Sequence, residues 1–259
     1  MARTRSDAYD LQRDRIADLA VRSFATSGYA SATMGAIAQA CGISKANLYH
    51  YFSGKDALLF HALERYTEGL AALGAPADEG DAPPGTVENA EPGEGNAAAR
   101  RRLARLIEAF VVAYSDAAHY HKALLHDVHH LPAPSRERIR ALERQIVGKF
   151  QDAILGAYPA LRHHPHPGAL TMSLLGMLNF SFAWWRPGGS LDAKAFAQEL
   201  VLLWTGALHA RAEYRPDTSP AVGNSGRGGS ADSFVPACLA AGSPAHRVDE
   251  ATAPARLPL

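Results

Sequence analysis

The stretch TMGAIAQACGISKANLYHYFSGKDALL, Thr33 to Leu59, decides how this chain is read. Its first half outlines a small apolar helix, with Met34, Ile37 and Ala38 on one face and Thr33 where an N-cap is needed. Gly42 breaks that helix. Ser44 caps a second, very short one that crowds Lys45, Asn47, Tyr49, His50 and Tyr51 together, and Gly54 is expected to end it. Two such helices around a tight turn containing glycine make a helix-turn-helix. Ala38 and Gly42 are small where the helices must approach. Ile37, Ile43, Leu48 and Phe52 point inward, which leaves Lys45, Ala46, Asn47, Tyr49, His50 and Tyr51 for the outside.

That outward set has a recognisable chemistry. A recognition helix presents its N-terminal residues to base edges in the major groove. Lys45 can donate to guanine, and Asn47 can pair with adenine through two hydrogen bonds. Tyr49 and Tyr51 can donate to phosphates. Lys55, at the head of the next helix, is placed to meet another phosphate, and a free helix N-terminus favours an anion. On this reading the helix is short and polar because it fits a groove. By spacing alone, the same aromatics also suit the buried face of any three-helix bundle.

The chain of 259 residues allows one large domain, or a small domain joined to a larger one. Lysine plus arginine and aspartate plus glutamate both number 26, so no global basic field draws it to nucleic acid. Contact with DNA must be local, which argues against a non-specific packaging protein. Cys41 and Cys238 lie far apart, which points away from a disulfide scaffold and toward a reducing compartment. Cys41 falls in the turn, where a small apolar side chain fits. A charged N-terminus with no apolar run after it predicts no signal peptide. No stretch is apolar enough to span a membrane, so the expectation is a cytoplasmic protein.

Elsewhere the spacing is helical, and the expected fold class is all-α. A first helix carries Ile16, Leu19, Ala20 and Phe24 on one face and stops at Gly28. The expected divisions are a helix-turn-helix domain over 1–54, a connecting helix over 55–73 and an acidic, disordered loop over 74–96. A helical domain over 97–215 and a disordered tail over 216–259 follow. Within 97–215, helices are expected at about 97–115, 117–130, 135–158, 168–186 and 192–213.

The segment RIADLAVRSFATSGYASATMGAIAQACGISKANLYHYFSGKDALL resembles the N-terminal domain of the TetR family of transcriptional repressors. Phe24, Gly28-Tyr29, Thr33, Ile37-Ala38, Gly42-Ile43-Ser44, Leu48 to Phe52 and Lys55-Asp56-Leu58-Leu59 carry the likeness. The resemblance implies phosphate contacts from Thr33, Ser44, Tyr49, Tyr51 and Lys55. It places Lys45, Ala46, Asn47 and His50 against bases. Where members often have KGTLY or KGALY this chain has KANLY, so Asn47 alters which bases are read. The resemblance further implies a homodimer on a palindromic operator, with a ligand pocket and a dimer interface in the C-terminal helices. The seam expected for the dimer is Leu175, Leu178, Phe182 and Trp185 with Leu200, Leu203, Trp204 and Leu208.

A finer likeness lies in GMLNFSFAWWRPGGSLDAKAFAQEL, which is similar to GMLNWTYRWYRPDG in a TetR subgroup that senses acyl-CoA thioesters. Such a ligand needs an apolar slot and cations for its phosphates. Phe110, Tyr114, Leu124, Leu125, Phe150, Met177, Phe180 and Trp184 are the slot candidates. Arg136, Arg140, Arg144, Lys149 and Arg186 are the candidate cations, unless they pair with Glu137 and Glu143 on a solvated face. A small hydrophobic or aromatic effector is the alternative. His126 and His130, four apart and expected on one helical face, are half of a metal site and support a rival reading as a metal-dependent enzyme. No nucleotide or hydrolase motif accompanies them. The expectation is no metal, no cofactor and no enzymatic activity.

Overall fold

The computed structural model describes residues 2–74, 94–186 and 189–213. Among these residues there is no strand, and the helices are α1 (Ala2–Ser27), α2 (Met34–Ala40), α3 (Lys45–Tyr51), α4 (Lys55–Ala72), α5 (Glu94–Asp116), α6 (Ala118–His126), α7 (Ala133–Ala157), α8 (Pro167–Phe180) and α9 (Ala193–Glu213). Short 3-10 turns follow α6, α7 and α8. None of the helices is long and apolar enough to cross a membrane.

Glycine ends α1 as expected. Gly28 sits at φ 80°, a left-handed conformation that penalises a Cβ, and its N–H bonds the Phe24 carbonyl at 2.9 Å. Gly42, at φ 68°, turns the chain between α2 and α3 in the same way. The structure shifts the next boundary. α3 ends at Tyr51, because Phe52 swings into an extended conformation that sends its ring into the core. Gly54 therefore heads α4 instead of closing α3.

Two apolar clusters hold the chain together. In the first, Ile16, Ala20 and Phe24 of α1 meet Ile37 of α2, Leu48 and Phe52, and Leu58, Leu59 and Leu63 of α4. Leu48 is the buried residue of α3 and is fully shielded, so it anchors that helix. Truncating such a side chain to alanine costs about 2–5 kcal/mol. Tyr120, Ala123 and Leu124 of α6, with Leu131 and Ile139, complete this cluster, so its packing continues past residue 54. The second cluster joins Leu70 to α5, α7, α8 and α9 through Phe110, Phe150, Leu174, Leu178, Phe196 and Trp204. Tyr66 of α4 packs against both.

Three other expectations change. Glu94–Asn96, assigned to the acidic loop, begin α5, while 75–93 and the tail from 214, with Cys238, lie outside the described residues. The helix expected over 117–130 stops at His126, and Val128–His130 form a 3-10 turn. α8 stops at Phe180, well short of Arg186.

Candidate nucleic-acid interface

Caps set the geometry of the α2–α3 unit. The Thr33 hydroxyl oxygen accepts from the Ala36 N–H at 3.1 Å, and the Ser44 hydroxyl oxygen accepts from the Asn47 N–H at 3.1 Å. Each oxygen thereby satisfies an N–H that the helix start leaves unpaired. Each hydroxyl proton remains available to a phosphate oxygen. Lys45, Ala46, Asn47, Tyr49 and His50 are all exposed, and the Lys45 ammonium lies 6.0 Å from the centre of the Tyr49 ring. One exposed face of one short helix therefore offers a cation, an amide, a phenol and an imidazole.

Two of the sequence candidates stand differently. Tyr51 is only half exposed, because the ring of Tyr9 stacks on it at 4.7 Å. The Lys55 side chain does not point outward. Its ammonium donates to the carbonyls of Tyr29 at 2.6 Å, Ala32 at 3.0 Å and Ala30 at 3.3 Å. What the start of α4 presents to an anion is its backbone N–H groups and not this charge. Tyr9 was missed in the sequence, although it continues the Ile16 stripe one heptad toward the N-terminus.

The effector candidates separate into two places. Phe110 and Phe150 are fully buried with ring centres 4.8 Å apart, and Tyr114, also buried, donates its hydroxyl to Asn179 Oδ1 at 2.9 Å. Around them lie further polar groups, wholly or partly buried. Tyr66 carries a buried hydroxyl with no hydrogen-bond partner. A ring nitrogen of His121 stands 3.0 Å from the Asn179 carbonyl, and burial pulls that imidazole down to about 4. Burial pushes the Glu143 carboxyl up to about 7, against the downward pull of Arg140 and Arg144. Leu124 is buried and Leu125 half-buried on α6.

Met177, Phe180 and Trp184 are elsewhere. They line an open groove of about 580 Å³ along α8 and α9, with Leu191, Phe196, Leu200 and Leu203. Phe180, Trp184, Leu202 and Leu203 expose 66%, 56%, 64% and 61% of their surface. Of the seam expected for the dimer, Leu203 lies on this exposed groove, and most of the other described members face the core. Leu175, Leu178, Trp185, Leu200 and Trp204 are buried within this chain, so they have little surface left to give a partner. Leu208 is half-buried, and the side chain of Phe182 lies outside the described set.

The candidate cations are mostly engaged. Arg144 pairs with Glu137 at 2.7 Å, with Arg140 at 4.0 Å from the same carboxylate. Arg136 donates to the Leu131 carbonyl at 2.7 Å, and Lys149 to the carbonyls of Ala71 and Leu73. Arg186 is exposed. The histidines do not form the expected pair. His126 closes α6, whereas His130 sits in the 3-10 turn with its ring stacked on Tyr29 at 4.4 Å. Among the described residues, no group of three or more His, Cys, Asp or Glu side chains is gathered as a metal site needs. Cys41 is half-buried and packs against the first cluster, and burial pushes its thiol up, away from the reactive thiolate.

Residues 16–62 match the family described as bacterial regulatory proteins, tetR family, and residues 96–208 match the tetracyclin repressor-like C-terminal domain. The HTH-type transcriptional repressor Rv1474c of Mycobacterium tuberculosis is 38% identical over 73 residues, which are 28% of this chain and 39% of the relative. The chain spans well under half the length of the curated relatives it matches. A TetR-family transcriptional regulator from Bordetella parapertussis superposes with a TM-score of 0.63 at 26% identity, over 74% of this chain and 93% of that one. AibR, solved in complex with isovaleryl coenzyme A and operator DNA, shares the fold with a TM-score of 0.58 at 23% identity, over 74% of this chain and 97% of its own. Matched in order by the N-terminal and C-terminal halves of one architecture, this chain belongs to the TetR family.

Proposed function

We propose that this protein is a ligand-responsive transcriptional repressor that binds a palindromic operator as a homodimer. The observation that carries the reading is the outward face of α3. Lys45, Ala46, Asn47 and His50 stand exposed on a helix held by Leu48 and capped by Ser44, where base edges would meet them. The hydroxyls of Thr33, Ser44, Tyr49 and Tyr51 and the backbone at Lys55 surround that face and suit phosphates. The second copy would lie on the groove of Met177, Phe180, Trp184 and Leu203, an apolar exposure that monomers rarely leave uncovered. Two-fold symmetry would then match two half-sites about 34–36 Å apart.

Release by an acyl-CoA thioester is the proposed control, supported by the GMLNFSFAWW stretch and by the isovaleryl coenzyme A bound in AibR. An effector acts only if it binds the DNA-competent and incompetent dimers with different affinity. α4 and α6 are the coupling elements, because Tyr66 touches both clusters and α6 packs into the first. A small hydrophobic or aromatic effector is the second reading. The Tyr66 hydroxyl without a partner and the engagement of Arg136, Arg144 and Lys149 elsewhere favour it.

The test is a gel shift on a duplex that the protein itself selects from a random pool. Tyr49→Ala is expected to abolish the shift while leaving a folded dimer, and retained affinity overturns the assignment of α3. Isovaleryl coenzyme A and longer acyl thioesters are then titrated into the complex. Release by one of them supports the first effector, and release only by uncharged aromatic compounds supports the second.

A further inference from the structure

α1 begins at Ala2, well before residue 16 where the family match starts. That extra length is not idle. The ring of Tyr9 stacks on Tyr51 with centres 4.7 Å apart and planes 23° apart, and it meets the His50 ring edge-on at 6.1 Å. Its hydroxyl donates to the His50 carbonyl at 3.4 Å, a long and weak bond, so stacking is the main contact. One turn later, the Arg13 guanidinium lies 5.2 Å over the Phe52 ring. The next residue, Asp14, pairs with Arg65 of α4 at 2.6 Å and with His61 at 2.9 Å. The front of α1 therefore braces both the end of α3 and the helix that follows.

The recognition helix needs such a brace. With only the residues Lys45–Tyr51, α3 is far too short to hold its own geometry. Leu48 anchors its middle from beneath, but His50 and Tyr51 lie at the end that Leu48 does not reach. Tyr51 packs partly on the first cluster, and above it both rings lean on Tyr9, which stacks on Tyr51 and meets His50 edge-on. Small misplacements of recognition groups weaken specific contacts more than they weaken general attraction to the backbone.

We propose that Tyr9 is a positioning residue for operator recognition, acting through His50 and Tyr51 by ring stacking. The inference rests on the reading of α3 as the DNA-reading helix. Tyr9 belongs to neither apolar cluster, so its removal leaves both intact.

The experiment measures affinity for a duplex selected by the wild-type protein and for a scrambled duplex of equal length, across a salt series. Tyr9→Ala is expected to weaken operator binding about tenfold, to leave scrambled DNA within about twofold and, because Tyr9 carries no charge, to keep the salt slope unchanged. Tyr9→Phe, which keeps the ring, is expected to bind like the wild type. Operator binding by Tyr9→Ala equal to wild type overturns the inference. So does Tyr9→Phe losing as much as Tyr9→Ala, because the hydroxyl and not the stacked ring would then carry the effect. Lys45→Ala combined with Asn47→Ala is the control on the underlying reading. If that double variant still binds the selected duplex as the wild type does, α3 is not the reading helix and the inference falls with it. If the double variant loses binding and Tyr9→Ala does not, only the inference falls.

Discussion

The ammonium of Lys55 lies 2.6 Å from the carbonyl oxygen of Tyr29 and 4.3 Å from the centre of that residue's ring. With the carbonyls of Ala30 and Ala32 also within reach, the first residue of α4 ties down the whole α1–α2 connection. The Tyr29 ring in turn stacks on His130, which joins this connection to the segment between α6 and α7.

Lys55→Met keeps the length of the side chain and removes the donors. Losing a charged donor from partly buried carbonyls is expected to cost about 1–3 kcal/mol. The measurement is the urea midpoint. Operator affinity, read at a temperature where the variant is fully folded, is expected to stay within about threefold of wild type. A much larger loss would mean that the ammonium leaves these carbonyls for a phosphate.

The two caps hold their helices in the same way, each hydroxyl oxygen accepting the N–H three residues on. Thr33→Ala and Ser44→Ala are each expected to lower stability by about 1 kcal/mol, and Ser44→Gly by only a few tenths. If the Ser44 hydroxyl also meets a phosphate, Ser44→Gly will restore stability without restoring operator affinity. Thermal unfolding and gel-shift titrations of the same three variants check both halves of that statement.

Charge on the outward face of α9 should separate the proposed dimer without unfolding the chain. Leu203→Lys, at a residue 61% exposed, is expected to yield a folded monomer by light scattering with helix content intact. Leu175→Lys, at a buried residue of α8, is expected to unfold the second cluster instead. A Leu203→Lys protein that remains dimeric would move the interface elsewhere.

Stability should depend on pH through two groups of opposite kind, the half-buried Glu143 and the buried His121. Glu143 has its acidity weakened by burial, from 4.5 to about 7. Its favourable contribution is complete below the unfolded value and is lost as pH rises through about 7. His121 is pulled from 6.5 to about 4, so its contribution is present above 6.5 and is lost as pH falls through about 4. A tenfold change in acidity is worth about 1.4 kcal/mol, so Glu143→Gln should gain on the order of 1–3 kcal/mol over wild type at pH 8 and little at pH 4.5. Urea midpoints of both proteins at the two pH values decide it.

The DNA-facing half was largely legible in the sequence, because its signals are local. A capping hydroxyl, a left-handed glycine and a stripe at 3.6-residue spacing act within a few residues. Thr33, Gly28, Gly42, Ser44, Ile37 and Leu48 could therefore be placed before any tertiary contact was known. The boundary at Gly54 was misread because Phe52 leaves the helix for a long-range reason, the core beneath it.

What the sequence determined by itself was the all-α class, the helix-turn-helix and the polar set on α3. What only the tertiary structure decided was which side of each apolar helix faces inward and where each long side chain ends. α8 and α9 are hydrophobic nearly all round, so spacing cannot distinguish Leu175 and Trp204, which are buried, from Phe180 and Leu203, which are exposed. Lys55 is the same lesson in a polar residue. Its flexible stem can send a charge outward or inward, and the carbonyls of the α1–α2 connection, more than twenty residues back, are what draw it in.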